Sequence, residues 1–101
     1  GLPQRFTHSD RIQNFATEKS QLIIAQSTKD PANLLSKLGF DDVVIKNVNV
    51  TDGLRITLAD ERIIHLRPSG NAPELRCYAE AETYSIANQY AVRTLEKIQA
   101  L

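Results

Sequence analysis

The sequence predicts an α+β domain in which about four antiparallel strands form one sheet and helices pack on one face of it. Four short segments rich in branched or alternating apolar residues follow one another between residues 43 and 79 and are joined by short turns. Consecutive strands with such connections pair antiparallel. Segments with helical spacing of apolar residues precede and follow this run, and helices at both ends of it are expected to cover the same face.

The N-terminal part predicts a lead-in segment and two helices. Residues 1–16 are polar with scattered aromatics and are expected to hold at most a short extended piece. A helix is expected to start with Thr17 as its cap, because small and apolar residues then recur three or four positions apart, at Ser20, Ile23, Ile24 and Ser27. Asp30 followed by Pro31 predicts the cap and first turn of a second helix, which Gly39 ends.

Four strands and a last helix are expected in the remainder. The strands cover residues 43–50, 54–58, 63–66 and 75–79. Asp52-Gly53 is a hairpin signal between the first two, and residues 59–61 form the next turn. Thr83 is expected to cap the final helix, whose buried side is predicted to hold Ala87, Tyr90, Ala91, Thr94, Leu95 and Ile98.

Length and charge limit the function classes. A chain of 101 residues has the size of one compact domain, so residues 1–101 are treated as a single domain. Twelve basic residues balance twelve acidic ones, which disfavours a nucleic acid or a membrane surface as partner. No stretch approaches about 20 apolar residues, and no leader peptide is recognised. The chain contains no methionine, so we expect it to be part of a longer protein.

Cysteine and histidine give no sign of a metal or redox site. Cys77 is the single cysteine and lies in an apolar strand pattern, so we expect a small buried side chain. His8 and His65 lack the spacing of metal ligands. Tyr78, Tyr84 and Tyr90 are expected at the edges of the core.

The connection over residues 67–76, Arg-Pro-Ser-Gly-Asn-Ala-Pro-Glu-Leu-Arg, is the segment that suggests chemistry. Gly70 permits the positive φ that turns consecutive backbone amides toward one anion, and Ser69 and Asn71 add side-chain donors. If the flanking strands pair, Arg67 and Arg76 both reach the mouth of the loop, and a guanidinium matches a phosphate with two parallel hydrogen bonds. Taken alone, the pattern also fits an ordinary turn whose arginines are solvated or paired with carboxylates such as Glu74 and Glu80.

The same segment resembles the phosphate-binding loop of the α-D-phosphohexomutases. That loop typically reads Arg-x-Ser-Gly-Thr-Glu-Pro and is followed by a strand of the Arg-Val-Tyr-x-Glu kind, and here Arg67, Ser69, Gly70 and Pro73 are in register, followed by Arg76-Cys77-Tyr78-Ala79-Glu80. The similarity extends over nearly the whole chain, including Asp10-Arg11-Ile12, Thr17-Glu18-Lys19-Ser20 and Asp52-Gly53-Leu54-Arg55. Asn71 and Ala72 depart from the pattern, standing in place of threonine and glutamate. Asn71 keeps a donor, whereas Ala72 removes a carboxylate.

The resemblance implies the fourth, C-terminal domain of a four-domain cytoplasmic phosphomannomutase or phosphoglucomutase, with a layout like that of the TATA-binding protein. It implies a lid that closes over a hexose phosphate and binds its phosphate through Arg67, Ser69, Gly70, Asn71 and, more weakly, Arg76. The phosphoserine, the Mg²⁺ site and the sugar-recognition loop are then expected in the other three domains, with no catalytic residue, metal ligand or cofactor in this chain. We accordingly expect the chain to be inactive alone.

Two other functions remain open from the sequence. A sheet backed by helices offers a broad face for a nucleic acid, although the charge balance disfavours it. A dimerisation module without a ligand is the other alternative.

Overall fold

The computed structural model describes residues 4–101, which form a five-stranded antiparallel sheet and three helices. The first three residues of the lead-in segment lie outside the described part. In chain order the elements are β1 (Phe6–Ile12), α1 (Thr17–Lys29), α2 (Pro31–Lys37), β2 (Ile45–Asn49), β3 (Leu54–Leu58), β4 (Ile63–Pro68), β5 (Leu75–Ala81) and α3 (Tyr84–Gln99). The strand order across the sheet is β1-β5-β4-β3-β2. The α+β prediction is confirmed, with one more strand than expected.

The additional strand, β1, occupies much of the segment that we expected to be a lead-in. It pairs antiparallel with β5 along its whole length, from Phe6 opposite Ala81 to Ile12 opposite Leu75. The prediction missed it because its helix-facing positions include His8 and Asp10 instead of apolar residues. His8 packs against α3 by a hydrogen bond between its Nδ1 and the Tyr84 hydroxyl, 2.8 Å long.

The helix and turn signals are largely confirmed. Asp30 caps α2 by accepting a hydrogen bond from the Asn33 amide at 3.1 Å, and the Thr83 hydroxyl accepts one from the Ile86 amide at 3.2 Å. The prediction for Thr17 is wrong, because Ala16 occupies the cap position of α1 and makes no side-chain capping bond.

The core lies on one face of the sheet, between the strands and the helices. The apolar residues of β3, β4 and β5 point into it, and Leu54, Ile56, Leu58, Ile64, Leu66, Leu75, Cys77 and Ala79 are each at most 1% exposed. Cys77 is buried as expected, and burial raises the pKa of its thiol to about 12. The opposite face of the sheet carries polar and charged side chains and lies open. Within the described residues no helix has the length and apolar character needed to cross a membrane.

An ion pair ties the sheet to α3 at the end opposite the 67–76 connection. Arg62 donates from Nε and Nη2 to the Glu82 carboxylate at 2.8 and 3.0 Å, and from Nη1 to the Tyr90 hydroxyl at 2.9 Å. The hydrogen bonds from Arg62 lower the pKa of Glu82 from 4.5 to about 2. Ionised Glu82 therefore favours the folded state above pH 4.5, and this contribution is lost as the pH falls toward 2.

We predict that Glu82→Gln lowers the free energy of unfolding at pH 7 and has a smaller effect at pH 3, where the unfolded-state carboxyl is mostly protonated. Urea unfolding at the two pH values measures this. Glu96→Gln, on the exposed side of α3, is the matched control. An effect of Glu82→Gln that is equal at pH 7 and pH 3 contradicts the assignment.

Candidate functional site

The connection between β4 and β5 forms a small cleft on the open side of the sheet. The cleft has a volume of about 180 Å³ and is lined by Arg67, Pro68, Ser69, Gly70, Asn71, Arg76 and Tyr78. The structure thus brings together all five residues that were predicted from the sequence, namely Arg67, Ser69, Gly70, Asn71 and Arg76.

Strand register brings the arginines together. β4 and β5 pair with Arg67 directly opposite Arg76, and β5 and β1 pair with Arg76 directly opposite Arg11. Three guanidinium groups therefore form a row across adjacent strands on the open face. Their side chains are 42%, 45% and 52% exposed for Arg67, Arg76 and Arg11, so all three are accessible. Like charges directly opposite one another in a sheet repel, which makes this end of the sheet receptive to an anion.

Two carboxylates balance part of this positive charge. Asp52, in the β2–β3 turn, lies 3.1 Å from Nη2 of Arg67. Glu74 accepts a hydrogen bond from Nε of Arg76 at 3.0 Å and lies 3.7 Å from Nη1 of Arg11. The alternative in which the arginines pair with carboxylates is thus realised for Glu74 but not for Glu80, which lies 3.7 Å from Arg5. Three arginines at or beside the cleft thus share two carboxylates.

Tyr78 forms one wall of the cleft. The Arg67 guanidinium lies over its ring at 5.7 Å from the centroid, within the range of a cation–π contact. Hydrogen bonding to the Tyr78 hydroxyl, and then to Glu74, raises the pKa of Arg76. The prediction of a core-edge position is wrong for Tyr78, which lies on the open face, and for Tyr84, which is 53% exposed. Tyr90 packs against the core as expected.

The backbone of the loop differs from the predicted amide nest. Gly70 is not among the glycines with positive φ, which in the described chain are Gly39 and Gly53. The Ser69 amide donates to the Glu74 carbonyl at 3.1 Å, and the Asn71 amide donates to the Ser69 hydroxyl at 3.4 Å. Because the Ser69–Glu74 bond closes the loop, the turn does not need a left-handed residue at position 70. Within residues 4–101, the Gly70 amide has no hydrogen-bond acceptor, so it remains available to a ligand.

Sequence reasoning missed three residues in or beside this site: Arg11, Asp52 and Tyr78. It named Glu74 only as a possible partner of the arginines. Tyr78 had a usable signal, since it lies two residues after Arg76 in a strand and therefore on the same face. Glu74 stands at the same spacing before Arg76. Arg11 lies on β1, and because that strand was not predicted, neither was the position of Arg11 in the site.

Across the part of the chain that the structure describes, no group of three or more histidine, cysteine, aspartate or glutamate side chains is placed to hold a metal ion. His65 Nε2 lies 2.5 Å from the Asp52 carbonyl on the open face.

Comparison with known proteins gives a consistent set of relatives. Residues 14–97 match the family model described as phosphoglucomutase/phosphomannomutase, C-terminal domain. The chain is 43% identical over 99 residues to a phosphomannomutase of Salmonella muenchen, covering 98% of this chain and 21% of that protein. A phosphomannomutase of Sinorhizobium fredii is 43% identical over 77 residues, which cover 73% of this chain and 15% of the relative. A probable phosphoglucosamine mutase of Methanosphaera stadtmanae is 29% identical over 91 residues, 88% of this chain and 19% of the relative. The chain therefore spans about a fifth of the length of these relatives.

Proposed function

Because the chain belongs to the family of phosphoglucomutase/phosphomannomutase C-terminal domains, we propose that it is the substrate-phosphate-binding lid of a phosphohexomutase that interconverts hexose 6-phosphate and hexose 1-phosphate. We further propose that the domain has the layout of such C-terminal domains, which is like that of the TATA-binding protein. The observation that carries the proposal is the convergence of Arg67, Arg76 and the loop of residues 69–71 on one cleft.

The chemistry of the cleft suits a phosphate monoester. Arg67 and Arg76 offer charge-assisted hydrogen bonds, each contributing about 1.5–3 kcal/mol, and a planar guanidinium can engage two phosphate oxygens at once. The Gly70 amide and the side chains of Ser69 and Asn71 supply shorter-range donors to the remaining oxygens. Asp52 and Glu74 leave the site only modestly positive, which favours one small anion over a long polyanion.

In the proposed mechanism this chain binds the phosphate that is not being transferred. Fixing that phosphate orients the hexose, and orientation accounts for several kcal/mol of barrier reduction in reactions of this kind. Closing the domain over the substrate also excludes water from the reacting groups. Phosphoryl transfer, Mg²⁺ binding and sugar recognition are assigned to the other three domains, and the chain alone is proposed to be inactive. The enzyme is proposed to be cytoplasmic.

A titration of the 101-residue chain with inorganic phosphate, followed by NMR, tests the binding role. We expect weak saturable binding, with a dissociation constant of about 1 mM or higher because the contacts from other domains are missing. The amide shifts are expected to concentrate at residues 67–76. Shifts spread evenly over the surface, or none at 100 mM phosphate, contradict the proposal.

The two alternative functions give different results in parallel measurements. A nucleic-acid module is retained on heparin or DNA in a strongly salt-dependent way. A dimerisation module sediments as a stable dimer and shows no phosphate-induced shift at residues 67–76. The proposed lid is expected to show neither behaviour.

A further inference from the structure

Glu74 places a carboxylate directly beneath the arginine row. Its side chain is only 9% exposed, whereas the arginines beside it are about half exposed. Oε2 accepts from Nε of Arg76 at 3.0 Å, and Oε1 lies 3.7 Å from Nη1 of Arg11. The backbone of Glu74 is fixed as well, because its carbonyl accepts from the Ser69 amide and its amide donates to the Ala72 carbonyl at 2.8 Å. A carboxylate this well buried and held stays in one position.

The contact at Nε determines how Arg76 presents itself to the cleft. A guanidinium has five N–H donors in a rigid plane, and the bond to Glu74 uses only the one at Nε. Fixing that edge sets the plane of the guanidinium. The contact with Glu74 uses neither terminal nitrogen, so it does not block an anion from binding to them. Without it, Arg76 keeps the hydrogen bond to the Tyr78 hydroxyl but loses its contact at Nε, so the guanidinium must lose more rotamer entropy when it binds a phosphate.

Two physical effects of Glu74 oppose each other. A negative charge beside an anion site repels the ligand, so removal of that charge should strengthen binding if electrostatic repulsion dominates. Pre-orientation of Arg76 favours binding, so removal should weaken it if positioning dominates. The charge is screened by two guanidinium groups that stand next to it, whereas the loss of orientation is not compensated by any other contact to Nε. Positioning therefore outweighs repulsion.

We infer that Glu74 is a positioning residue, which holds the Arg76 guanidinium in the orientation that receives the substrate phosphate. The inference rests on the proposed function, since it concerns how the same cleft recognises its ligand. Glu74 does not touch the substrate in this account and acts only through Arg76.

Steady-state kinetics of the full-length protein that contains this chain, with a hexose phosphate as substrate, test the inference. Glu74→Ala is expected to raise KM about tenfold with kcat changed less than threefold, since the lost orientation affects phosphate binding. Glu74→Gln keeps an oxygen that accepts from Nε, so its KM is expected to stay within about threefold of wild type. Glu80→Ala removes a carboxylate from β5, on the same face of the sheet as Glu74. Glu80 pairs with Arg5, and this variant is the matched control, with an unchanged KM expected.

A double substitution separates positioning from a general structural effect. If Glu74 acts through Arg76, Glu74→Ala adds no further increase in KM once Arg76 is replaced by alanine. A KM for Glu74→Ala that is unchanged or lower overturns the inference, and so does a tenfold increase that persists in the Arg76→Ala background. The melting temperature of each variant shows whether the domain remains folded.

The outcome also distinguishes this inference from the proposed function. If Arg67→Ala leaves KM and kcat/KM unchanged, the cleft does not bind the substrate and both proposals fail. If Arg67→Ala impairs the enzyme and Glu74→Ala does not, only the positioning role of Glu74 fails.

Discussion

Arg67→Ala in the full-length protein is expected to lower kcat/KM about 100-fold, mainly by raising KM, while the fold stays intact. Arg67 lines the cleft from the end of β4, beside the loop and opposite Arg76. Its loss removes one or two charge-assisted hydrogen bonds to the phosphate, and about 2.7 kcal/mol corresponds to the expected factor of 100. Steady-state kinetics with a hexose phosphate measure the effect, and the melting temperature checks the fold.

Arg55→Ala is the matched control for Arg67→Ala. Arg55 lies on β3, on the same open face and opposite His65, but outside the cleft formed by the β4–β5 connection. The Arg55→Ala substitution removes the same charge from the same face, so a general electrostatic effect would appear in both variants. We expect kcat/KM of Arg55→Ala within about threefold of wild type. Equal losses in the two variants, or none in Arg67→Ala, remove Arg67 from the binding site.

Gly53→Ala is expected to lower the free energy of unfolding more than any other substitution considered above. Gly53 has a φ of +77°, and a Cβ at this position meets the Leu66 carbonyl oxygen at 2.1 Å. Both the left-handed backbone and the contact with another strand's backbone oppose any side chain there. We expect the free energy of unfolding to fall by about 2–4 kcal/mol, enough to lower the melting temperature by more than about 10 °C.

Gly70→Ala is the control for that loss of stability. A Cβ at Gly70 meets nothing within 4 Å, and its φ is not positive. We expect its free energy of unfolding to stay within about 0.5 kcal/mol of wild type. Urea or thermal unfolding measures both variants. A Gly53→Ala protein as stable as Gly70→Ala contradicts the close approach of the β2–β3 turn to β4, and with it the position of Asp52 beside Arg67.

The apolar pattern was sufficient to predict β2 to β5. Branched residues indicated β2 and β4, and alternation indicated β3 and β5; the helix-facing side chains of β3, β4 and β5 form the core. Leu54, Ile56 and Leu58 give a clear period of two, and each is 1% exposed. β1 lacks this signal, since His8 and Asp10 occupy helix-facing positions at the edge of the sheet. Edge strands make fewer core contacts, so their sequences are less constrained to be apolar.

The part of the candidate site that is formed by two strands adjacent in sequence, β4 and β5, could be predicted. Arg67 and Arg76 face each other because the β4–β5 connection is short, and this pairing follows from a hairpin alone. To predict the contact between Asp52 and Arg67, the relative positions of three strands must be known. To predict the contact between Glu74 and Arg11, β1 must be known to lie beside β5. The conformation of Gly70 was wrong in the prediction, because the hydrogen bond from Ser69 to Glu74 closes the loop without a positive φ there.

A crystal structure of the full-length protein with a hexose phosphate bound tests the central claim most directly. The account predicts that the phosphate oxygens lie about 2.7–3.2 Å from guanidinium nitrogens of Arg67 and Arg76 and from the donors of Ser69, Gly70 or Asn71. A phosphate bound elsewhere, with the β4–β5 cleft making no contact to it, contradicts the account.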